Sequence, residues 1–127
     1  MANTLYDRIG ADFVQLAITE FYRRAFVDPI IGHFFFAKDQ AAITATQIEF
    51  AAAMLGGPRA YRGRPLATVH KTLDIRPPHF GRRQVLMADV LRELGLADEL
   101  AREWLLLEER LRDVIVKRPN NLGNHDA

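Results

Sequence analysis

Residues 67–75, ATVHKTLDI, place His70 among short apolar residues, where a histidine is either a core residue with satisfied hydrogen bonds or a ligand. The 127-residue chain has four histidines, no cysteine and no serine, which excludes disulfides, thiolate metal sites and serine or cysteine nucleophiles. No two histidines have His-x-x-x-His spacing, so a structural zinc site is also excluded. The other three, His33, His79 and His125, lie at predicted loop or helix-end positions.

Two polar side chains interrupt predicted apolar helix faces. Gln47 lies on the stripe that also contains Ile43 and Phe50, and Tyr22 lies on the apolar side of the preceding long helix. A buried amide without a partner costs about 1–3 kcal/mol. The two polar tips therefore either meet each other or lie half-exposed at a rim, and spacing alone leaves both interpretations open.

The hydrophobic spacing predicts an all-α chain with almost no strand signal. We expect an irregular segment around Phe34–Phe36, Asp39 and Asp98 as helix caps, and Val114 as the last residue on the apolar face of the final helix. The predicted helices cover 12–26, 39–55, 66–73, 77–94 and 98–114.

Composition limits the classes of function. Hydrophobic residues make up 49% of the chain and charged residues 26%, which is ordinary for a soluble globular protein. A net charge of +1 predicts neither nucleic acid nor anionic membrane as a partner, and no apolar stretch approaches the ~20 residues of a membrane helix. The start shows no secretion signal. We expect one cytoplasmic domain over residues 1–118 and a loose tail over 119–127.

A haem would account for a single histidine among many aromatic residues. One histidine can serve alone as the axial ligand of haem iron when an apolar slot supplies the rest of the binding. Phe34, Phe35, Phe50 and Phe80 could supply that slot. The polar ends of the Tyr22 and Gln47 side chains would then point at the haem.

Four sequence blocks resemble the truncated haemoglobins, the short two-over-two globin family, over about residues 4–116. They are TLYDRIG, FYRRAFVDPIIGHFF, QIEFAAAMLGGPRAYRG and ATVHKTLDIRPPHF, and they are most similar to the first subgroup, group I. The resemblance implies a two-over-two helical sandwich around haem b.

The resemblance also implies roles for individual residues. His70 matches the proximal iron ligand, and Tyr22 and Gln47 match the pair that donates hydrogen bonds to the ligand on the opposite face. Phe35 matches the phenylalanine wedged against the haem face. The other matched positions form the apolar pocket, namely Phe34, Ile43, Phe50, Leu66, Ile75, Phe80 and Leu107.

Two positions depart from the family pattern. Arg83 stands where relatives carry an apolar residue or tryptophan, so we expect it either to snorkel along the pocket edge or to mark a one-residue shift of register. Thr46 stands where many relatives have a basic residue facing a haem propionate. Propionate pairing then falls to Lys71, Arg64 or Tyr61.

The implied function is binding of oxygen, nitric oxide and carbon monoxide at iron. A nitric oxide dioxygenase, supplied with electrons by an unidentified reductase, is the leading hypothesis, but the residues do not settle whether the protein is an enzyme. The alternative is a non-enzymatic gas-binding or sensing module that acts through a partner. A helical protein that keeps the fold without haem is a third hypothesis, and the joint presence of His70, Tyr22, Gln47 and Phe35 argues against it.

Overall fold

The computed structural model describes residues 3–70 and 73–116, and the predicted tail at 119–127 lies outside this part. The described residues contain no β-strand, which confirms the all-α fold class, and none of their helices is long and apolar enough to cross a membrane. The helices are α1 (Leu5–Ile9), α2 (Ala11–Ala25), a 3₁₀ helix (Gly32–Phe35), α3 (Gln40–Met54), α4 (Leu66–His70), α5 (Pro77–Glu93), α6 (Asp98–Glu109) and α7 (Arg112–Ile115).

Local capping chemistry sets where the first helices begin. The Thr4 hydroxyl accepts from the Asp7 amide at 3.1 Å, while the Asp7 carboxylate accepts from the Thr4 amide at 3.3 Å, a reciprocal capping box. Gly10 both ends α1 and begins α2 with φ +98°, a conformation that glycine adopts without a Cβ clash. Asp39 caps α3 by accepting from the Ala42 amide at 3.1 Å, as predicted.

The long helices form two stacked pairs. Helix α2 packs against α3 and α5, and α5 packs against α6, while the short α4 packs against α7. Val14 and Phe21 from α2 are buried against Met87 and Leu91 from α5 and Trp104 from α6. Burial of these large apolar side chains is the main stabilising contribution to the fold. The arrangement is the two-over-two helical sandwich that the resemblance implied.

Two predicted helix boundaries are wrong by a few residues. Asp98 is the first residue of α6 and Ala97 precedes it as the cap, so the Asp98 carboxylate acts on the helix dipole from the first turn. The helix that carries His70 is described over Leu66–His70, and Leu73, its predicted last residue, lies in a bend outside the helix. The predicted start and end of α2 and α3 agree with the structure to within about one residue.

The final helix is also shorter than the hydrophobic spacing indicates. It ends at Glu109, and after a turn the chain forms the separate α7. Val114, predicted on the apolar face, is 48% exposed. The break lets α7 pack against α4 and places the Arg112 guanidinium 4.6 Å from the centroid of the Phe80 ring. Tertiary packing therefore overrides the local periodicity.

Asp28 fixes the loop between α2 and the 3₁₀ helix. Its nearly buried carboxylate accepts from the amides of Ile30 and Ile31 at 3.0 and 3.1 Å. It also accepts two hydrogen bonds from Arg82 of α5, at 2.7 and 3.1 Å. The 3₁₀ helix, which carries Phe34 and Phe35, is thereby tied to α5.

Candidate functional site

His70 presents one ring nitrogen that is free to bind a metal. Its Nδ1 lies 2.8 Å from the carbonyl oxygen of Leu66, one turn earlier in α4. Because a carbonyl can only accept, Nδ1 carries the proton and Nε2 keeps its lone pair. Burial lowers the pKa of His70, the Leu66 hydrogen bond opposes this, and the charge of Arg83 lowers the pKa further. The ring is therefore neutral near pH 7, the form that ligates metals.

Tyr22 is a buried phenol in aromatic surroundings. Only 8% of the residue is exposed, and its ring meets Phe21 and Phe35 edge-on at centroid distances of 4.9 and 5.9 Å. Burial raises the pKa of the hydroxyl, and the opposing charge of Arg83 does not reverse the shift. Tyr22 therefore stays protonated near neutral pH and can donate a hydrogen bond.

The 3₁₀ helix places two phenylalanines side by side. Phe35 stacks on Phe26 at 4.7 Å and meets Tyr22 edge-on. Phe34 packs between His33 and His79 at centroid distances of 4.1 and 5.0 Å. These contacts fix the orientation of both rings, as expected of residues that line a pocket.

Gln47 does not meet Tyr22. It is half-exposed on α3 and, among the described residues, its side chain forms no hydrogen bond to Tyr22 or to any other group. The Gln47 side chain therefore lies half-exposed at a rim, whereas Tyr22 lies in the interior. Phe50, one turn further on, is half-buried and meets the Tyr61 ring edge-on at 5.1 Å.

The remaining predicted pocket residues fall into two apolar clusters that share Phe34. Ile43 and Leu107 pack against the main core together with Phe35, and Ile75 and Phe80 form the second cluster. Leu66 contributes its carbonyl to His70 as well as a half-buried side chain. The predicted wall residues thus come from five elements and one loop.

Arg83 lies at the edge of the core, with 23% of its side chain exposed. Its two terminal nitrogens donate to the Glu108 carboxylate at 2.7 and 3.2 Å. Trp104 donates its indole N–H to the same carboxylate at 2.9 Å. The partly exposed guanidinium thus compensates the buried acid from α6, a partner that the sequence did not predict.

Glu108 and Trp104 were not among the predicted site residues. The available signal was an acid four residues after a tryptophan, on the same apolar face of a helix. A carboxylate in that position needs a buried partner, and Arg83 was the unexplained cation. The pairing of Glu108 with Arg83 therefore explains both the acid on an apolar helix face and the cation at an apolar position.

The residues predicted to meet the propionates lie in different environments. Tyr61 is half-buried against Phe50, and Arg64 is exposed and forms no ion pair within the described part of the chain. Lys71 lies outside the described residues. The exposed Arg64 guanidinium suits a carboxylate at the rim, and this role stays a prediction.

The donor set suits haem iron better than a free metal ion. Residues 3–70 and 73–116 contain no cluster of three or more histidine or acidic side chains that could hold an ion. They do contain a neutral imidazole at His70, a buried hydroxyl at Tyr22 and apolar walls. One nitrogen ligand with an apolar surround is the combination with which haem is bound.

Known proteins with this sequence pattern and fold are truncated haemoglobins. The family model for bacterial-like globins matches residues 4–117. A group 1 truncated hemoglobin of Mycolicibacterium paratuberculosis is 35% identical over 103 residues, which cover 80% of this chain and 76% of that protein.

Solved structures agree with this assignment. Truncated hemoglobin from Tetrahymena pyriformis in the Fe(III) form superposes with a TM-score of 0.86 and 28% identity, covering 91% of this chain and all of that one. The truncated oxygen-avid haemoglobin from Bacillus subtilis gives a TM-score of 0.79 and 25% identity, covering 89% of this chain and 99% of that one. The chain belongs to the bacterial-like globin family as a group 1 truncated haemoglobin, and it binds haem iron and diatomic gases such as oxygen.

Proposed function

We propose that the chain holds haem b without a covalent bond, with Nε2 of His70 on the iron and with Tyr22 and Gln47 on the opposite face. The sequence contains no cysteine, so a thioether link to the haem cannot form. The Leu66 hydrogen bond, which leaves Nε2 free, supports His70 as the ligand. The apolar contacts with the ring come from Phe34, Phe35, Ile43, Phe50, Leu66, Ile75, Phe80 and Leu107.

We infer further that the protein acts as a nitric oxide dioxygenase. Bound haem supplies the iron at which one oxygen, one nitric oxide and one electron give one nitrate. An unidentified reductase restores the electron after each turnover. The protein's own contribution is to hold, orient and electrostatically stabilise the reactants.

The observation that carries this proposal is the buried hydroxyl of Tyr22. It keeps its proton because burial raises its pKa, and its ring is held edge-on by Phe21 and Phe35. A fixed donor stabilises negative charge that develops on a neighbouring oxygen atom. The Gln47 amide, which is unbonded within the described residues, can add a second donor from the rim.

Nitrate formation tests this function. The reduced protein is mixed with nitric oxide under air, and the amount of nitrate formed is compared with the amount of nitric oxide consumed. We expect one nitrate per nitric oxide in the wild type. Tyr22→Phe should release oxygen about tenfold faster, because it lacks one charge-assisted hydrogen bond, and should form less nitrate. Tyr6→Phe on α1, whose phenol is half-exposed and is not among the predicted site residues, is the matched control.

Binding of nitric oxide without nitrate in the wild type would contradict the dioxygenase. A gas-binding or sensing module that acts through a partner would then be the better interpretation. An unchanged oxygen release rate in Tyr22→Phe would contradict the role given to Tyr22.

A further inference from the structure

Arg83 of α5 occupies the space beside the ring pair Phe21–Tyr22. Its guanidinium carbon lies 4.9 Å from the centroid of the Phe21 ring, and that ring lies 4.9 Å from the Tyr22 ring. The guanidinium charge lowers the pKa of the Tyr22 hydroxyl against the larger effect of burial. The guanidinium therefore lies next to the ring pair that contains Tyr22.

Two residues of α6 hold this guanidinium in place. Both terminal nitrogens of Arg83 donate to Glu108, whose side chain is only 3% exposed. The indole N–H of the fully buried Trp104 donates to the same carboxylate. On α5 itself, Gln84 accepts from Arg83 at 2.8 Å. These hydrogen bonds hold the Arg83 guanidinium beside the Phe21 ring.

The chemistry of arginine determines what it can do to a phenol. A guanidinium has five N–H donors and no acceptor. Beside Tyr22 it can donate to the phenolic oxygen, but it cannot take up the phenolic proton. The Tyr22 O–H must therefore donate to another group, and the adjacent positive charge makes this O–H a stronger donor.

Stability alone does not explain the network. Burying an ion pair costs desolvation free energy that the attraction between the charges often fails to repay, and apolar residues of similar volume are frequently as stable. Arg83, Glu108 and Trp104 fill positions that an apolar core could fill. Their placement next to Tyr22 points to a use in the site.

We propose that Arg83 is a positioning residue that, clamped by Glu108 and Trp104, directs and strengthens the O–H of Tyr22 toward a diatomic ligand at the haem iron. This inference rests on the proposed function. It assigns to Arg83 an effect on ligand retention that is exerted through Tyr22.

Infrared spectroscopy of the carbon monoxide complex tests the proposal, because a hydrogen bond to the ligand lowers the C–O stretching frequency. We expect Tyr22→Phe to raise this frequency and Arg83→Met to raise it by a smaller amount. Arg83→Met should also release oxygen about threefold to tenfold faster, the range that one hydrogen bond of modest net strength covers. Arg83→Lys, which keeps a cation, should restore part of both effects.

A double-mutant cycle shows whether Arg83 acts through Tyr22. In the Tyr22→Phe background, Arg83→Met should cause no further shift, since the hydroxyl it directs is gone. An equal shift in both backgrounds would overturn the proposal, and so would an Arg83→Met protein with the wild-type frequency and oxygen release rate. If Arg83→Met does not fold, Arg83→Met/Glu108→Gln removes both buried charges together and is compared with Glu108→Gln alone and with Tyr22→Phe.

The same data separate this proposal from the proposed function. If Tyr22→Phe shifts the C–O frequency and Arg83→Met does not, only the inference about Arg83 fails. If Tyr22→Phe causes no shift, the distal role of Tyr22 fails and the inference about Arg83 fails with it.

Discussion

Glu108 is a carboxylate placed among core residues, and a buried indole and a partly exposed guanidinium compensate it. It accepts from Trp104 on its own helix and from Arg83 across the interface between α5 and α6. The pairing could not be predicted, because Arg83 lies 25 residues away in sequence and only the packing of the two helices brings them together.

Replacing Glu108 should destabilise the protein because the carboxylate accepts from both the Arg83 guanidinium and the fully buried Trp104 indole. We expect Glu108→Gln to lower the free energy of unfolding by about 2–4 kcal/mol, measured by urea denaturation. Glu109→Gln is the matched control, since that neighbouring acid pairs with Arg112 on the exposed side and should cost about 0.5 kcal/mol or less. Equal losses in the two variants would contradict the buried pair.

The connection between α2 and the 3₁₀ helix shows what a helical pattern can and cannot predict. Helix α2 ends at Ala25, three residues before Asp28. Two of the four hydrogen bonds that Asp28 accepts come from Arg82, 54 residues later, so local sequence gave no signal for these two. The break before α7 has the same origin, since apolar spacing continues through it and packing against α4 decides its place.

Asp28 should make stability depend on pH in the acid range. The pKa of Asp28 is lowered chiefly by its hydrogen bonds from Arg82, although burial opposes this. A lowered folded-state pKa means that the stabilisation is complete above the unfolded value of about 3.9 and is lost as pH falls through the folded value. Asp28→Asn should cost about 1–3 kcal/mol at pH 7, and the difference from wild type should shrink at about pH 3 and below.

Urea midpoints at pH 7 and at acid pH measure this difference. Glu20, whose pKa is lowered to about 2 by Arg23 and Arg24, titrates alike in both proteins and cancels in the comparison. Asp39→Asn keeps a capping side chain at an exposed position and should change stability only slightly. A loss in Asp28→Asn that stays constant with pH would contradict the ion pair.

In the molecule as a whole, α5 brings together site residues that lie far apart in the sequence. Its Arg83 acts electrostatically on Tyr22 of α2 and on His70 of α4. The resemblance was sufficient to predict the helical sandwich and to select His70 and Tyr22 as candidates. It could not predict the ion pair of Arg83, because that depends on an acid from α6 that the family pattern does not require.

The most direct test is the optical spectrum of the purified holoprotein, recorded ferric, reduced, and reduced with carbon monoxide, for wild type, His70→Ala and His33→Ala. His33, exposed on the 3₁₀ helix, is the matched control. We expect wild type and His33→Ala to show a Soret band that shifts on reduction and again on carbon monoxide addition. His70→Ala should lose stable haem or change all three spectra. A His70→Ala protein that retains haem with spectra identical to those of wild type would contradict His70 as the iron ligand.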